Sequence, residues 1–309
     1  MTHKDPQQAL TRDTASVIGP TLALLTALIF ATSSIAAKIA TFELEALTII
    51  LVRSSIAAVV LLAVMLFQAR SVFRISIRDI PAIAVLGVVG IVATLWFLLQ
   101  ALTYTTVTST ALIGATAPIV TAVSAAIVFK ERLPRAAYLG VVTSFAGVIL
   151  LITDGRIADL RELSFNRGDL LMFGNVVSSA IYALTIKSLS VKYASLTLTF
   201  YMTIAAILAL LILVDFDQVR EVSSASATSI WALLYLGIVT SAIGYFLYNY
   251  TVKIVGPTVM SCTVFSAMPV FVMILAWVML GKVIASFEVI SSALISVGLF
   301  FVLRPNSRA

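Results

Sequence analysis

The chain contains 309 residues, of which 61% are hydrophobic and 11% are charged, whereas soluble domains average about 45–50% and about 25%. Several long stretches carry no charge at all: 14–37, 80–129, 193–214, 222–252 and 254–281. A bilayer core accommodates about 20 apolar residues per helix, so these stretches predict a polytopic membrane protein and exclude an ordinary cytosolic one. The net charge of +6 is not gathered on a soluble domain, and we therefore expect no nucleic-acid partner.

Charged residues, prolines and glycines divide the apolar sequence into ten predicted spans. Each should be helical, because a segment that crosses a membrane must satisfy its own backbone hydrogen bonds. The sequence therefore predicts an all-α integral membrane protein. The spans are placed at about 19–40, 46–67, 81–102, 107–129, 136–153, 169–188, 194–214, 229–250, 257–280 and 284–303.

The distribution of Lys and Arg predicts the orientation, since these residues concentrate in cytosolic loops. With the N-terminus inside, thirteen fall on the cytosolic side and six on the other side, while Arg53 lies within a span. Both termini are predicted to be cytosolic, as tails covering residues 1–18 and 304–309. The prediction that follows is a multi-pass membrane protein.

A weak internal repeat relates the two halves at an offset of 149 residues. The segment EALTIILV (45–52) aligns with ASLTLTFY (194–201), and WFLLQ (96–100) aligns with YFLYN (245–249). Two sets of apolar helices can align by chance, but several blocks in register argue against that interpretation. The predicted repeats cover 19–153 and 169–303, joined by an extracytosolic linker at 154–168. Because each repeat has five spans, the second must be inverted, which predicts a central cavity and alternating access by rocking of the halves.

The motifs of the first half resemble a known family. Arg53 in the second span, APIVTAVSAAIVFKERL at 117–133 and LGVVTSFAGVILL at 139–151 are similar to the drug/metabolite transporter superfamily, in particular its EamA-type bacterial exporters. The resemblance implies ten helices around a central cavity, a location in the bacterial inner membrane and export of small metabolites. It is strongest to the aromatic and neutral amino-acid exporter branch. One departure is Lys282, which stands where the first repeat has Glu131.

Polar and aromatic side chains inside spans are the candidate substrate-binding residues, because lipid makes polar groups costly unless they face protein or water. Trp96 and Gln100 share one face of span 3, as Tyr245 and Asn249 do in span 8, where Tyr248 lies beside them. Such a surface could stack a flat side chain and hydrogen-bond an amino or carboxylate group. An aromatic belt with an interhelical amide is the alternative.

Ser33, Asn175 and Tyr182 extend the candidate site to spans 1 and 6, although small hydroxyls also favour close helix packing. Arg53 is the one cation well inside a span. It could attract a substrate carboxylate, or it could pair structurally with a helix end.

Pro118 and Pro269 occupy equivalent places in spans 4 and 9 and predict kinks that could act as gating hinges. Small residues one heptad apart in spans 5 and 10 predict close packing, as a scaffold or as a homodimer contact. These residues are Gly140, Gly147, Ser291 and Gly298.

The function predicted from these features is secondary export of small metabolites, with amino acids as the preferred substrates. Export of purine- or nucleoside-like metabolites, or of cationic drugs by proton exchange, is the alternative. An intramembrane enzyme would need clustered catalytic or metal-binding groups, whereas the chain has one His and one Cys. We therefore expect no catalytic residue, metal or cofactor, and a passive channel would show rings of charge that the sequence lacks.

Overall fold

The computed structural model describes residues 6–68, 73–104, 113–114, 116–130, 135–153, 156, 166–280 and 285–303. Ten apolar helical segments, α1 to α10, occupy this part of the chain. They are α1 (Pro6–Ala40), α2 (Ala46–Leu66), α3 (Ile80–Gly87, Val88–Ala93 and Thr94–Tyr104), α4 (Ala117–Phe129), α5 (Arg135–Ile152), α6 (Arg167–Leu189), α7 (Ser195–Leu213), α8 (Ala227–Tyr235, Leu236–Gly244 and Tyr245–Val255), α9 (Pro257–Leu280) and α10 (Ser286–Leu303).

Each helical segment overlaps one of the ten predicted spans, although α1 begins at Pro6, well before the predicted start of span 1 at residue 19. Seven of them are long and apolar enough to cross a membrane, and α4, α5 and α10 are shorter apolar helices. The predicted class, an all-α protein with many membrane spans, is confirmed. The predicted N-terminal tail, 1–18, is helical from Pro6 onward as part of α1. Residues 1–5, the predicted C-terminal tail at 304–309, most of the linker, the start of span 4, Glu131 and Lys282 lie outside the described residues.

Local signals in the sequence set several helix ends. Asn166 and Asp169 form a capping box at the start of α6, which satisfies N–H groups that have no partner within the helix. Gly256 has φ of +86° and separates α8 from α9, whose first residue is Pro257. A glycine in this conformation followed by a proline ends one helix and starts the next within a single residue.

Helix packing divides the molecule into two bundles of mixed origin. In the first bundle, α1 packs against α8 and α9, and α2 packs against α8. The second bundle is its equivalent under exchange of the repeats, with α6 against α3 and α4, and α7 against α3. Each bundle thus combines two helices from each repeat. The helix contacts therefore do not separate the sequence halves into two bodies, and rocking of the halves stays a prediction.

The equivalent helices α2 and α7 pack against each other, as do α4 and α9, and α5 and α10. Late residues of α2, Leu61 and Met65, meet Phe200 near the start of α7. A Cβ on Gly140 would meet Gly298, while a Cβ on Gly147 would meet Ser291, so α5 and α10 run in opposite directions. Antiparallel packing of equivalent helices is the signature of inverted repeats, and the predicted inversion is present.

The small residues of spans 5 and 10 are used inside the chain. Besides the close glycine contacts, the Ser144 hydroxyl donates to the carbonyl of Ile295 at 3.4 Å. This packing matches the scaffold interpretation of these residues. A homodimer through the same helices stays a prediction.

Pro118 and Pro269 occupy different places in their helices. Pro118 lies in the first turn of α4, where a missing N–H costs nothing, and the Thr116 hydroxyl donates to the carbonyl of Ile113 at 2.6 Å. A kink within a continuous helix is therefore not what Pro118 produces in the described residues. Pro269 lies inside the continuous helix α9, and its hinge role stays a prediction.

Helices α3 and α8 share a rarer feature. Each contains a π-helical stretch, Val88–Ala93 in α3 and Leu236–Gly244 in α8, and the repeat offset superimposes the first stretch on the interior of the second. Each π turn loosens the regular hydrogen-bond ladder, and such stretches are frequent at functional sites. The paired stretches direct attention to the side chains that contact them.

Candidate functional site

Four aromatic rings from three helices meet in the middle of the molecule. The Tyr182 ring centroid lies 5.3 Å from that of Tyr248 and 6.1 Å from that of Tyr245. Phe30 closes the group at 5.8 Å from Tyr245 and 6.2 Å from Tyr248. Aromatic pairs at these distances stabilise a fold by about 0.5–1.5 kcal/mol beyond the area that they bury.

Asn249 joins this aromatic group to α6 and α7. Its side-chain carbonyl accepts a short hydrogen bond from the Tyr182 hydroxyl, and its amide nitrogen donates to the Thr199 hydroxyl at 2.9 Å. The sulfur of Met202 lies 3.6 Å from the same nitrogen. We call Tyr182, Thr199, Met202 and Asn249 the asparagine cluster. Because α8 belongs to the first bundle, whereas α6 and α7 belong to the second, the cluster ties the bundles together.

Arg53 is buried in α2, with 5% of its surface exposed. Its Nε donates to the hydroxyl of Ser241 at 2.8 Å, and Ser241 lies within the π-helical stretch of α8. Among the described residues, Nη1 and Nη2 of Arg53 make no hydrogen bond. The predicted structural pairing with a helix end is therefore not the contact that is present, because Ser241 lies in the middle of its helix.

The repeat relates the asparagine cluster to a second group of four residues. The offset of 149 places Ser33, Ile50, Arg53 and Gln100 where the second half has Tyr182, Thr199, Met202 and Asn249. We call these four residues the arginine set. The two groups differ in chemistry, since a serine replaces the central tyrosine and an arginine replaces the methionine.

The two groups also differ in packing. Tyr182 and Asn249 are 5% and 0% exposed, whereas their counterparts Ser33 and Gln100 are only half-buried, and so is Trp96, the counterpart of Tyr245. Helices α6 and α8 pack against each other around the asparagine cluster. In the part of the chain that the structure describes, the equivalent helices α1 and α3 have no comparable contact. Ser33 and Gln100 are therefore less buried than their counterparts, while Ile50 and Arg53 are 0% and 5% exposed.

Asn175 bonds to the backbone of α3. Its side-chain amide is buried and donates to the backbone carbonyl of Thr94 at 2.7 Å, immediately after the π-helical stretch of α3. In the same stretch, Gly90 lies directly against the Tyr182 ring, which a Cβ on Gly90 would overlap. Asn175 thus supports the backbone of α3, and its role as a substrate contact stays a prediction.

Polar contacts at the helix ends tie each bundle together. Glu43, between α1 and α2, accepts hydrogen bonds from the Ser226 hydroxyl at 2.6 Å and the Ser226 N–H at 2.8 Å. These bonds from Ser226 hold the pKa of Glu43 below its ordinary value. In the other bundle, Asp79 accepts bonds from Lys192 at 2.9 Å and Tyr193 at 2.7 Å. Since α2 and α7 are antiparallel, the two contacts lie at opposite ends of the molecule.

Sequence reasoning missed four residues that complete the centre: Phe30, Thr199, Met202 and Ser241. A phenylalanine, a threonine, a methionine and a serine inside apolar helices look like ordinary packing residues. The repeat offset could have found Met202, because it aligns with Arg53, whereas Thr199 aligns with an isoleucine. No sequence signal distinguishes Phe30 or Ser241.

Acidic side chains near the spans serve helix ends. Glu288, in the first turn of α10, accepts a hydrogen bond from the Ala285 N–H at 2.7 Å. Within the described residues, no group of three His, Cys, Asp or Glu side chains is arranged to hold a metal ion.

Two segments of the chain match a known protein family. The model of the EamA-like transporter family matches residues 17–153 and again residues 166–304. The chain belongs to this family. The two matched segments correspond to the two repeats that pack as inverted copies, and they confirm a membrane transporter.

Curated relatives cover most of the chain. The uncharacterized transporter YyaM of Bacillus subtilis is 29% identical over 80% of this chain and 80% of its own. The protein described as a probable terminal-alkyne amino-acid exporter of Streptantibioticus cattleyicolor is 25% identical over 74% of each chain. A crystal structure with 19% sequence identity matches with a TM-score of 0.72 and covers 92% of this chain and 97% of its own. That last similarity supports the fold alone.

Proposed function

We propose that this chain exports amino acids, including aromatic ones, from the cytosol by alternating access between its two bundles. The observation that carries the proposal is the junction of both bundles, where Tyr182, Tyr245, Tyr248 and Asn249 form an aromatic and amide centre in an apolar interior. Transporters bind substrate near the midplane, where the repeats meet. A relative described as a probable amino-acid exporter supports the substrate class.

The bundles are the bodies that would move. Each is tied together within itself by contacts such as Glu43 with Ser226 and Asp79 with Lys192, whereas the asparagine cluster crosses from one bundle to the other. Breaking and re-forming that crossing is what would open and close the pathway. We further propose an inner-membrane location with both termini in the cytosol, which a reporter fused at residue 309 would test.

The alternative of cationic drug export by proton exchange has less support. A cationic substrate at the centre would face the guanidinium of Arg53. The described acidic residues nearest to the spans, Asp169 and Glu288, are engaged at helix starts.

Transport in proteoliposomes tests the proposal. The purified protein is reconstituted and assayed with labelled amino acids and purines, with and without a pH gradient. We expect saturable amino-acid flux. Flux of purines alone would replace the substrate class, and flux that vanishes without the gradient would show proton coupling. Protein that is folded yet transports no member of the panel would contradict the proposal.

A further inference from the structure

We propose that the arginine set is the substrate-recognition site, in which the free amino groups of Arg53 bind a carboxylate and the space beside Ser33 accepts an aromatic or large apolar side chain. This inference rests on the proposed function. It separates the candidate residues into two roles, because it assigns substrate contact to the arginine set and closure to the asparagine cluster.

The guanidinium of Arg53 is buried and makes a hydrogen bond through Nε. A buried cation in a span is costly unless it faces a partner or water, and removing hydrogen bonds from a buried charged group costs more than for a neutral one. Ser241 uses only Nε of Arg53, which fixes the plane of the guanidinium. The two terminal amino groups, without a partner among the described residues, form the planar fork that matches a carboxylate.

Ser33 stands in the first repeat where the aromatic Tyr182 stands in the second. In the second half, the phenol of Tyr182 fills the space between α6 and α8 and bonds to Asn249. In the first half, Ser33 stands at the equivalent position of α1, where a serine supplies no ring, and its hydroxyl donates to the Phe30 carbonyl at 2.7 Å. A ring-sized side chain supplied by the substrate would occupy the place that Tyr182 occupies in the other repeat.

Two side chains of α3 complete the proposed site. Trp96 and Gln100 are half-buried on one face of α3, and Trp96 packs edge to face on Phe97 with ring centroids 5.4 Å apart. The indole offers a stacking surface and the amide offers polar atoms for an ammonium or carboxylate group. The recognised chemical class is therefore an α-amino acid with an aromatic or bulky apolar side chain.

Equilibrium binding to the purified full-length protein tests the inference, using labelled L-phenylalanine with two competitors. The compound 3-phenylpropionate keeps the carboxylate and lacks the ammonium group, while 2-phenylethylamine lacks the carboxylate. We expect 3-phenylpropionate to compete at least 10-fold better. Equal competition, or better competition by the amine, would overturn the inference.

Two variants locate the site. Arg53→Gln should weaken phenylalanine binding about 10- to 100-fold, the effect of losing charge-assisted hydrogen bonds, and should abolish the difference between the competitors. Arg135→Gln removes an exposed cation at the start of α5 and should change neither. Ser33→Tyr keeps the cation but supplies the ring of the other repeat, so it should block phenylalanine binding in a folded protein even if Arg53→Gln does not fold.

The outcomes separate this inference from the proposed function. Amino-acid flux that survives Arg53→Gln and Ser33→Tyr unchanged would overturn the arginine set while the export proposal stands. A wild-type protein that neither binds nor transports any amino acid would overturn both.

Discussion

The asparagine cluster and the arginine set occupy equivalent places in the two repeats, but they have opposite characters. The asparagine cluster is closed by protein atoms, with Asn249 fully buried and bonded on both sides of its amide. The arginine set keeps a cation with unused donors and a serine in place of a tyrosine ring. The difference shows that the repeats preserve helix positions while their side chains have diverged.

Because the repeats are inverted, the two groups lie toward opposite sides of the membrane. Asn249 lies six residues before the end of α8 and Arg53 seven residues after the start of α2, about 10 Å from the respective helix ends at 1.5 Å per residue. With cytosolic termini, the asparagine cluster lies toward the cytosol and the arginine set toward the outside. On the proposed orientation, the more tightly packed of the two groups lies on the cytosolic side.

The largest expected effect comes from removing the amide of the asparagine cluster. Asn249→Leu leaves the Tyr182 hydroxyl without its acceptor, at about 1–3 kcal/mol for an unsatisfied group. It also removes the hydrogen bond that Thr199 accepts, although the Thr199 hydroxyl keeps its bond to the Ser195 carbonyl at 2.7 Å. We expect a loss of about 2–4 kcal/mol, seen as a melting temperature roughly 5–10 °C lower, together with at least about a 10-fold loss of transport.

Gln100→Leu is the matched control, because it makes the same kind of change at the equivalent position. It should lower the melting temperature by less than half as much. Equal destabilisation by the two variants would remove the distinction between a closed cluster and an open set.

A smaller effect is expected at the π-helical stretch of α3. Gly90→Ala places a methyl group against the ring of Tyr182, and overpacking of this kind costs about 1–3 kcal/mol. We expect a lower melting temperature and a reduced transport rate. Gly114→Ala should be close to neutral, since its methyl would meet only the flexible end of Met172, at 3.1 Å. A neutral Gly90→Ala would show that the Tyr182 ring is not held tightly.

The smallest effect concerns Glu43, whose bonds from Ser226 lower its pKa. A carboxylate with a lowered pKa stabilises the fold above its ordinary pKa, and this stabilisation is lost as the pH falls through the lowered value. The difference in melting temperature between wild type and Glu43→Gln should therefore be present at pH 7. It should shrink as the pH falls below the ordinary pKa of a glutamate and through the lowered pKa of Glu43. Glu45→Gln, which removes a neighbouring carboxylate without bonds to Ser226, is the control. A difference that persists at low pH would show that the carboxylate charge is not responsible.

The sequence predicts the membrane helices closely, because burial in lipid leaves a strong mark on composition. The predicted span 257–280 coincides with α9, and the predicted span 46–67 differs from α2 by one residue. The mixed bundles could not be predicted, since the hydropathy of a span does not say which helix lies beside it. Pro118 was misplaced for a related reason, because a proline is equally compatible with a kink and with a helix start.

The candidate site was only partly predictable. Tyr182, Tyr245 and Asn249 stand out because aromatic and amide groups are unusual inside spans, and the structure brings them together. Asn175 was selected by the same reasoning, yet it bonds to the backbone of Thr94. Composition cannot distinguish an amide that supports a helix from one that faces a substrate. Contacts such as Arg53 with Ser241 depend on three-dimensional packing between distant helices.

The most direct test of the comparison is a pair of distances between spin labels at equivalent positions. Phe42 and Tyr104 lie at the ends of α1 and α3, and Val191 and Lys253 are their counterparts beside α6 and α8. All four are exposed. The labels are attached to cysteines at these positions in a Cys262→Ala background, and distances are measured by pulsed electron resonance in lipid. We predict a longer distance for 42 and 104 than for 191 and 253 without substrate, and opposite changes in the two distances when L-phenylalanine is added. Equal distances that do not respond to the amino acid would contradict the account.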